Sequence, residues 1–331
     1  MDTLHLDGPT SILMIEGLTL PEMTEEFTSL VSDAAPEGSN IRVCTTMKEA
    51  VAEAAQAEVI FGIITEQLFA AAPRLRWVHA IASGVDAFMF DAFVQSDVIL
   101  TGEKGLVGGH LADTGFGLLL ALTRQIHTAI KLGPTAWSHR RQMRSIEVEL
   151  EGLTMGVVGF GGTGRAMARR AQAFGMEVLA VDEYPSNPDH GVEEVWPVER
   201  LDDLLAESDV VSICCPLTPS TASLINRETL GKMRQGAYLM NVTRGEVVDN
   251  DALVDALSTG HLAGAALDVV AGEPLDASHP LFALDNVAMT PHTAGASQLR
   301  APRNVARFAE NLRRAQRGES LVGVVDKTVG Y

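Results

Sequence analysis

Short apolar runs rich in β-branched residues recur along the chain and alternate with segments of helical period. ILMIEG (12–17), IRVCT (41–45), EVIFGI (58–63), RWVHAI (76–81) and VILTG (98–102) are predicted strands, with EMTEEFTSLVSDA and MKEAVAEAAQ as helices between them. Such alternation predicts βαβ units around a parallel sheet. The pattern restarts at MGVVGF (155–160) and continues through EVLAVD (177–182), DVVSICC (209–215), AYLMNV (237–242), GAALDV (264–269) and NVAMT (286–290). The expected fold class is therefore α/β, with two doubly wound parallel-sheet halves.

Two longer helical stretches read as joints. One spans roughly His110–Lys131 and carries Leu111, Gly115, Leu118, Leu119, Leu122, Ile126 and Ile130 on one 3.6-period face. The other runs roughly Ser297–Arg317. If it returns to the first half, the tail 318–331 closes that half and the second half is an insertion.

Composition narrows the partners. The 331 residues are 46% apolar and 21% charged, enough for two domains of ordinary size. A net charge of −18 argues against nucleic acid or an anionic membrane, since both call for basic patches. Cys44, Cys214 and Cys215 form no CxxC pair and no ligand-spaced cluster with histidine, so no metal is expected and a reducing compartment fits. MDTLHLDGPT lacks the basic and apolar parts of a signal peptide, and LADTGFGLLLAL (111–122) is too short for a bilayer. The expectation is a soluble, cytoplasmic protein.

A phosphate-binding signal follows the sixth predicted strand. Gly159-Phe160-Gly161-Gly162-Thr163-Gly164 leaves MGVV and opens a helix. Gly159 suits a tight turn, Gly161 admits a pyrophosphate to the backbone, and Gly164 lets helix and strand pack; the helix N-terminus supplies free N–H groups. Roughly twenty residues on, the next strand ends in Asp182, placed to accept from an adenosine ribose. Glu183 beside it would repel a 2′-phosphate, which favours NAD over NADP. Further on, Cys214-Cys215-Pro216 ends a strand at the same carboxyl edge, where ligands of open α/β sheets sit; the cysteines themselves read as small core residues.

Three residues of catalytic type follow three successive strands: Arg244 after AYLMNV, Glu273 in LDVVAGEP and His292 in MTPHTAG. Singly, each is an ordinary ion-pair, turn or core residue. Successive strand ends of a parallel sheet are neighbours, so together they can converge on one site.

GVVGFGGTG, CCPLTPST, NVTRGEVVD, ALDVVAGEP and MTPHTAG, in this order, make the sequence resemble the D-isomer-specific 2-hydroxyacid dehydrogenases over nearly the whole chain. The resemblance implies a Rossmann NAD domain at residues 111–299, inserted into a flavodoxin-like substrate domain formed by residues 1–110 and 300–331. It implies that NADH exchanges a hydride with a 2-oxo acid. Arg244 would bind the substrate carboxylate and touch the cofactor, a task suited to a fixed cationic fork. His292 would be the general acid or base, an imidazole's ordinary pKa of about 6.5 lying near the working pH; Glu273 would orient it. By the same resemblance Asp268 would meet the nicotinamide carboxamide, while Thr243, Cys215, Pro216 and His292 line the nucleotide. Ser83, Gly84 and Val85 in ASGVDAF would offer backbone donors to the substrate, although an ordinary strand-to-helix turn accounts for them equally well. A homodimer is the family's usual assembly.

Some features depart from the family. LADTG (111–115) places Asp113 and Thr114 where an Ala-Glu-His stretch is common, and Cys214 stands where histidine is frequent. Glu273 argues against the formate-dehydrogenase-like branch, which has glutamine there. Phosphite oxidation, or NAD(H) sensing by a corepressor of the same fold, are the alternative functions. A compact Ser83 loop suits glyoxylate or hydroxypyruvate; Phe88, Met89, Phe90 and Trp137 suit a bulkier side chain. HRRQMR (139–144) fits an interface arm or a contact to a phosphorylated substrate.

Overall fold

The structure is a computed structural model and describes residues 4–20 and 22–331. The chain divides into two compact units, one comprising the residues up to Val107 together with Ala296–Tyr331, the other Gly108–Gly295.

The first unit holds β1 (Ser11–Ile15), β2 (Asn40–Cys44), β3 (Val59–Gly62), β4 (Trp77–Ala80) and β5 (Ile99–Thr101) in the order β2-β1-β3-β4-β5, all parallel. This is the flavodoxin order. Side-chain alternation explains why its strands read as unbroken apolar runs. Leu13, Ile15 and Ile60 face one hydrophobic layer, while Ile12, Met14, Val59 and Phe61 face the other. The second layer is completed by helix Arg300–Gln316, whose Val305, Phe308 and Leu312 are buried in it; Phe308 stacks on Phe61 with ring centroids 4.6 Å apart.

That helix is also fixed by a buried polar chain. Trp77 Nε1 donates to Thr101 Oγ1 (2.8 Å), and Thr101 Oγ1 meets His79 Nδ1 (2.7 Å). His79 Nε2 meets Asn304 Oδ1 at 2.8 Å, and Asn304 Nδ2 donates to Glu103 Oε1 at 2.8 Å. Because an amide oxygen only accepts, His79 carries its proton on Nε2, and its Nδ1 accepts a hydrogen bond from the Thr101 hydroxyl. Arg300 Nε closes the chain on Glu103 at 3.0 Å. Burial drives the His79 pKa down to about 3, so the ring is neutral.

The second unit holds β6 (Thr154–Val158), β7 (Glu177–Asp182), β8 (Val195–Pro197), β9 (Val210–Ile213), β10 (Ala237–Asn241), β11 (Leu262–Leu267) and β12 (Val287–Met289). Their order, β12-β11-β10-β9-β6-β7-β8, is parallel throughout and is the doubly wound dinucleotide-binding order extended by one strand. The reversal between β6 and β9 places the ligand edge beside the glycine motif. β8 was not foreseen: VWP is only three residues long and ends in proline.

One predicted helix is two. Gly108–Thr123 ends before Gln125, whose left-handed backbone (φ 54°) starts a new direction for Ile126–Leu132. His127 sits across the break, with Nδ1 2.8 Å from the Ala121 carbonyl and Nε2 2.7 Å from the Asp285 carbonyl. Ile126 and Ile130 therefore leave the core face and are 47% and 76% exposed. No helix among the described residues is long and apolar enough to cross a membrane.

Candidate active site

In the second unit the glycine motif does what its spacing requires. Gly159 follows β6 at φ 95°, and a Cβ there would stand 2.6 Å from the backbone nitrogen of Cys215. A Cβ on Gly164 would overlap the carbonyl of Gly159, so that contact is open only to glycine. Gly161, the N-cap of helix Gly162–Ala173, differs: a Cβ there meets nothing within 4 Å. This is a cradle open to an incoming phosphate, with helix N–H groups at its rim. Phe160, Gly162 and Thr163 complete the turn.

Asp182, the last residue of β7, organises this loop. Its carboxylate accepts from Phe160 N at 2.6 Å and from Tyr184 N at 2.9 Å. Two carboxylate oxygens offer about four acceptor sites, so capacity remains for a ribose. Arg165, which the sequence did not single out, bonds to Ser186 Oγ (2.8 Å) and the Asn187 carbonyl (2.9 Å) and lies over the Phe160 ring. It ties the loop after Asp182 to the glycine helix. Cys214 and Cys215 are buried, and burial pushes both thiols up to about 12. They are packing residues, and Cys215 backs onto Gly159. Among the described residues no group of three His, Cys, Asp or Glu side chains could hold a metal ion.

Three loops at the carboxyl ends of β10, β11 and β12 carry the polar residues. The first is shaped by Asn241, buried at the end of β10. Its Oδ1 accepts from Thr243 N (3.1 Å) and its Nδ2 donates to the Arg244 carbonyl (2.8 Å). Arg244 is half-buried with an extended backbone, and its Nη1 donates to the Thr243 carbonyl at 2.8 Å. A polar residue ending an apolar strand was the available signal for Asn241.

The second loop presents Glu273. Its Oε1 accepts from Val270 N at 3.0 Å, and its Oε2 meets His292 Nδ1 at 2.7 Å. Nδ1 is thereby the nitrogen held by the carboxylate, and Nε2 is left for proton exchange with a ligand. Both side chains remain accessible, His292 at 47% and Glu273 at 33%.

The third loop holds His292 with φ 54°, a left-handed conformation seldom taken by a residue with a Cβ. Asp268 imposes it. The His292 amide donates to the Asp268 carbonyl at 2.8 Å. The Asp268 carboxylate, 2% exposed, accepts from Thr290 Oγ1 (2.6 Å), Thr293 N (2.9 Å) and Ala294 N (3.0 Å). The residue expected at the nicotinamide is thus also the organiser of the histidine loop.

In the first unit, Ser83, Gly84 and Val85 follow β4 and lead into the turn Asp86–Phe88. Ser83 is exposed and Val85 buried, and the N–H groups of these three residues have no acceptor among the described residues.

Comparison with known proteins agrees with this architecture. Residues 116–294 match the family described as D-isomer specific 2-hydroxyacid dehydrogenase, NAD binding domain. The glyoxylate reductase of Thermofilum pendens is 38% identical over 277 residues, covering 80% of this chain and 79% of its own. The hydroxypyruvate reductase of Blautia hydrogenotrophica is 32% identical over 298 residues, 86% of this chain and 89% of its own. A D-isomer specific 2-hydroxyacid dehydrogenase from Xanthobacter autotrophicus, solved with NADPH and MES, superposes with a TM-score of 0.81 at 29% identity, covering 98% of this chain and all of that one. A Rossmann NAD unit inserted into a flavodoxin-like unit, with 2-hydroxyacid dehydrogenase chemistry, places this chain in the D-isomer specific 2-hydroxyacid dehydrogenase family.

Proposed function

We propose that this protein is an NADH-dependent reductase of a small 2-oxo acid, giving the D-2-hydroxy acid, and that Arg244, Glu273 and His292 carry the reaction. The observation that supports this most is the 2.7 Å contact between Glu273 and His292, at the edge of the sheet that carries the glycine cradle. When bound at the glycine motif, NADH would supply the hydride that reduces C2 of the oxo acid. His292, with Nδ1 fixed on Glu273, delivers a proton from Nε2 to the carbonyl oxygen, and in the reverse direction removes it from the hydroxyl. Arg244 holds the substrate carboxylate and polarises the carbonyl beside it. In the first unit, Ser83, Gly84 and Val85 would offer backbone N–H groups to substrate.

Gly159–Gly164, Cys215, Pro216, Thr243 and Asp268 would line the cofactor, and Asp182 would take the adenosine ribose. The carboxylates of Asp182 and Glu183 favour NADH, since a 2′-phosphate would face both. The names of the relatives support glyoxylate or hydroxypyruvate as substrate. We read the protein as cytoplasmic and homodimeric. Exposed Ile130, Trp137 (81%) and Ile146 (53%), interleaved with Arg140, Arg141 and Arg144, favour self-association through the helices Ile126–Leu132 and Ala136–Ile146.

The test is the rate of NADH consumption over glyoxylate, hydroxypyruvate, pyruvate, 2-oxoisocaproate, phenylpyruvate and a phosphorylated oxo acid, with NADPH in parallel. A small oxo acid turned over faster with NADH is the expected result. Silence over the whole panel, with NADH still bound, would remove the proposed reaction.

A further inference from the structure

The Glu273 loop is held from behind by a residue with no expected part in the chemistry. Asn250 is the first residue of helix Asn250–Ser258. Its amide faces the backbone of Ala271: Nδ2 donates to the Ala271 carbonyl at 2.9 Å, and Oδ1 accepts from the Ala271 amide at 3.4 Å. The helix needs neither bond. It is capped by Asp249, whose Oδ1 accepts from Ala252 N at 3.0 Å. The preceding residue, Val270, supplies the amide that fixes Glu273 Oε1.

On its other side the 270–271 peptide rests on the arginine turn. A Cβ on Gly245 would overlap the Val270 carbonyl and the Ala271 nitrogen. The 270–271 peptide is therefore wedged between the Arg244–Gly245 turn and the base of a helix, and the amide of Val270, one peptide earlier, holds Glu273. A carboxylate that must keep an imidazole in a reactive pose gains from such a support, because small displacements of a reacting group cost large factors in rate.

We infer that Asn250 is a positioning residue for the reduction, setting Glu273, and through it His292, by clamping the Ala271 peptide. This rests on the catalytic reading of Glu273 and His292 given above. The Glu273 carboxylate keeps both of its contacts only while Val270 N and His292 Nδ1 stay at their present separation, and Asn250 fixes the residue next to Val270, Ala271, against the helix.

The experiment is a double-mutant cycle on the full-length protein, comparing wild type, Asn250→Ala, Asn250→Asp, Glu273→Gln and Glu273→Gln with Asn250→Ala. For each, kcat and KM for NADH and for the oxo acid are measured, with NADH binding by fluorescence as the check on folding. Asn250→Asp keeps the size and suits a first helical turn, so it folds while losing the donor to Ala271. Both single changes at 250 are expected to lower kcat about 10-fold with NADH binding within about 2-fold of wild type. In the Glu273→Gln background, Asn250→Ala should then change kcat less than about 2-fold, because coupled residues are not additive.

Unchanged kcat in both Asn250 variants, or the full loss repeated on top of Glu273→Gln, would overturn the positioning role. Loss of NADH binding in Asn250→Asp would make residue 250 a general structural element and also overturn it. If instead Glu273→Gln alone leaves kcat intact, the catalytic reading of Glu273 is what fails.

Discussion

Replacing Asp268 by asparagine separates two roles that the site gives one carboxylate. Asparagine has the same shape but one acceptor oxygen instead of two. If its oxygen takes the place that serves Thr290 and Thr293, its NH2 group faces the Ala294 amide; if it is flipped, the NH2 faces the Thr293 amide. Either way a buried donor meets a donor. One charge-assisted hydrogen bond is lost, about 1.5–3 kcal/mol, and a buried amide is left unsatisfied, about 1–3 kcal/mol. A net destabilisation of about 3 kcal/mol is expected, lowering Tm by about 6–12 °C for a unit of this size. The His292 loop then relaxes from its left-handed backbone, and kcat should fall by about 10–100-fold. Thermal unfolding and steady-state kinetics on Asp268→Asn decide the matter. An unchanged Tm with only a raised KM for NADH would refute the loop-organising role and return Asp268 to a plain cofactor contact.

Arg244→Ala should raise KM for the oxo acid by at least about 10-fold, as loss of a charged hydrogen-bonding partner worth about 1.5–3 kcal/mol requires, while NADH binding stays near normal; loss of NADH affinity with unaltered substrate kinetics would move Arg244 to the cofactor. His79 makes stability pH-dependent. Its folded pKa of about 3 lies below the unfolded value of 6.5, so between these values only the unfolded chain takes up the proton. Its contribution is complete above pH 6.5 and is lost as pH falls towards 3, by about 1.4 kcal/mol per pH unit. Denaturant unfolding at pH 7 and pH 5 should therefore show a shallower pH dependence in His79→Gln, and equal slopes would contradict the buried neutral ring. Trp137→Asp should shift the protein from dimer to monomer in sedimentation, and a wild-type protein already monomeric would dismiss this surface as an interface.

Much of the fold was legible because buried parallel strands announce themselves as apolar runs. Eleven of the twelve strands fell on such runs; β8, a proline-ended edge strand, did not. The break at Gln125 was hidden because neither glycine nor proline marks it. What redirects the chain there is the histidine at 127 reaching Asp285, a contact far off in sequence. At the site, the glycine spacing and the convergence of Glu273 and His292 could be read in advance, since strand order brings loop ends together; that the two pair was implied by the family resemblance. The supporting bonds could not. Asn241, Arg165 and the loop-organising carboxylate of Asp268 act on the backbone and side chains of neighbouring loops, and hydrogen bonding across loops leaves no periodic trace in a sequence.

The most direct test of the central claim is kcat of His292→Ala with the oxo acid that wild type reduces best, alongside NADH binding by fluorescence. kcat is expected to fall by about 10²–10⁴, the usual contribution of a general acid–base group, with NADH affinity preserved. A variant that binds NADH and turns over within a few-fold of wild type would take His292 out of the mechanism.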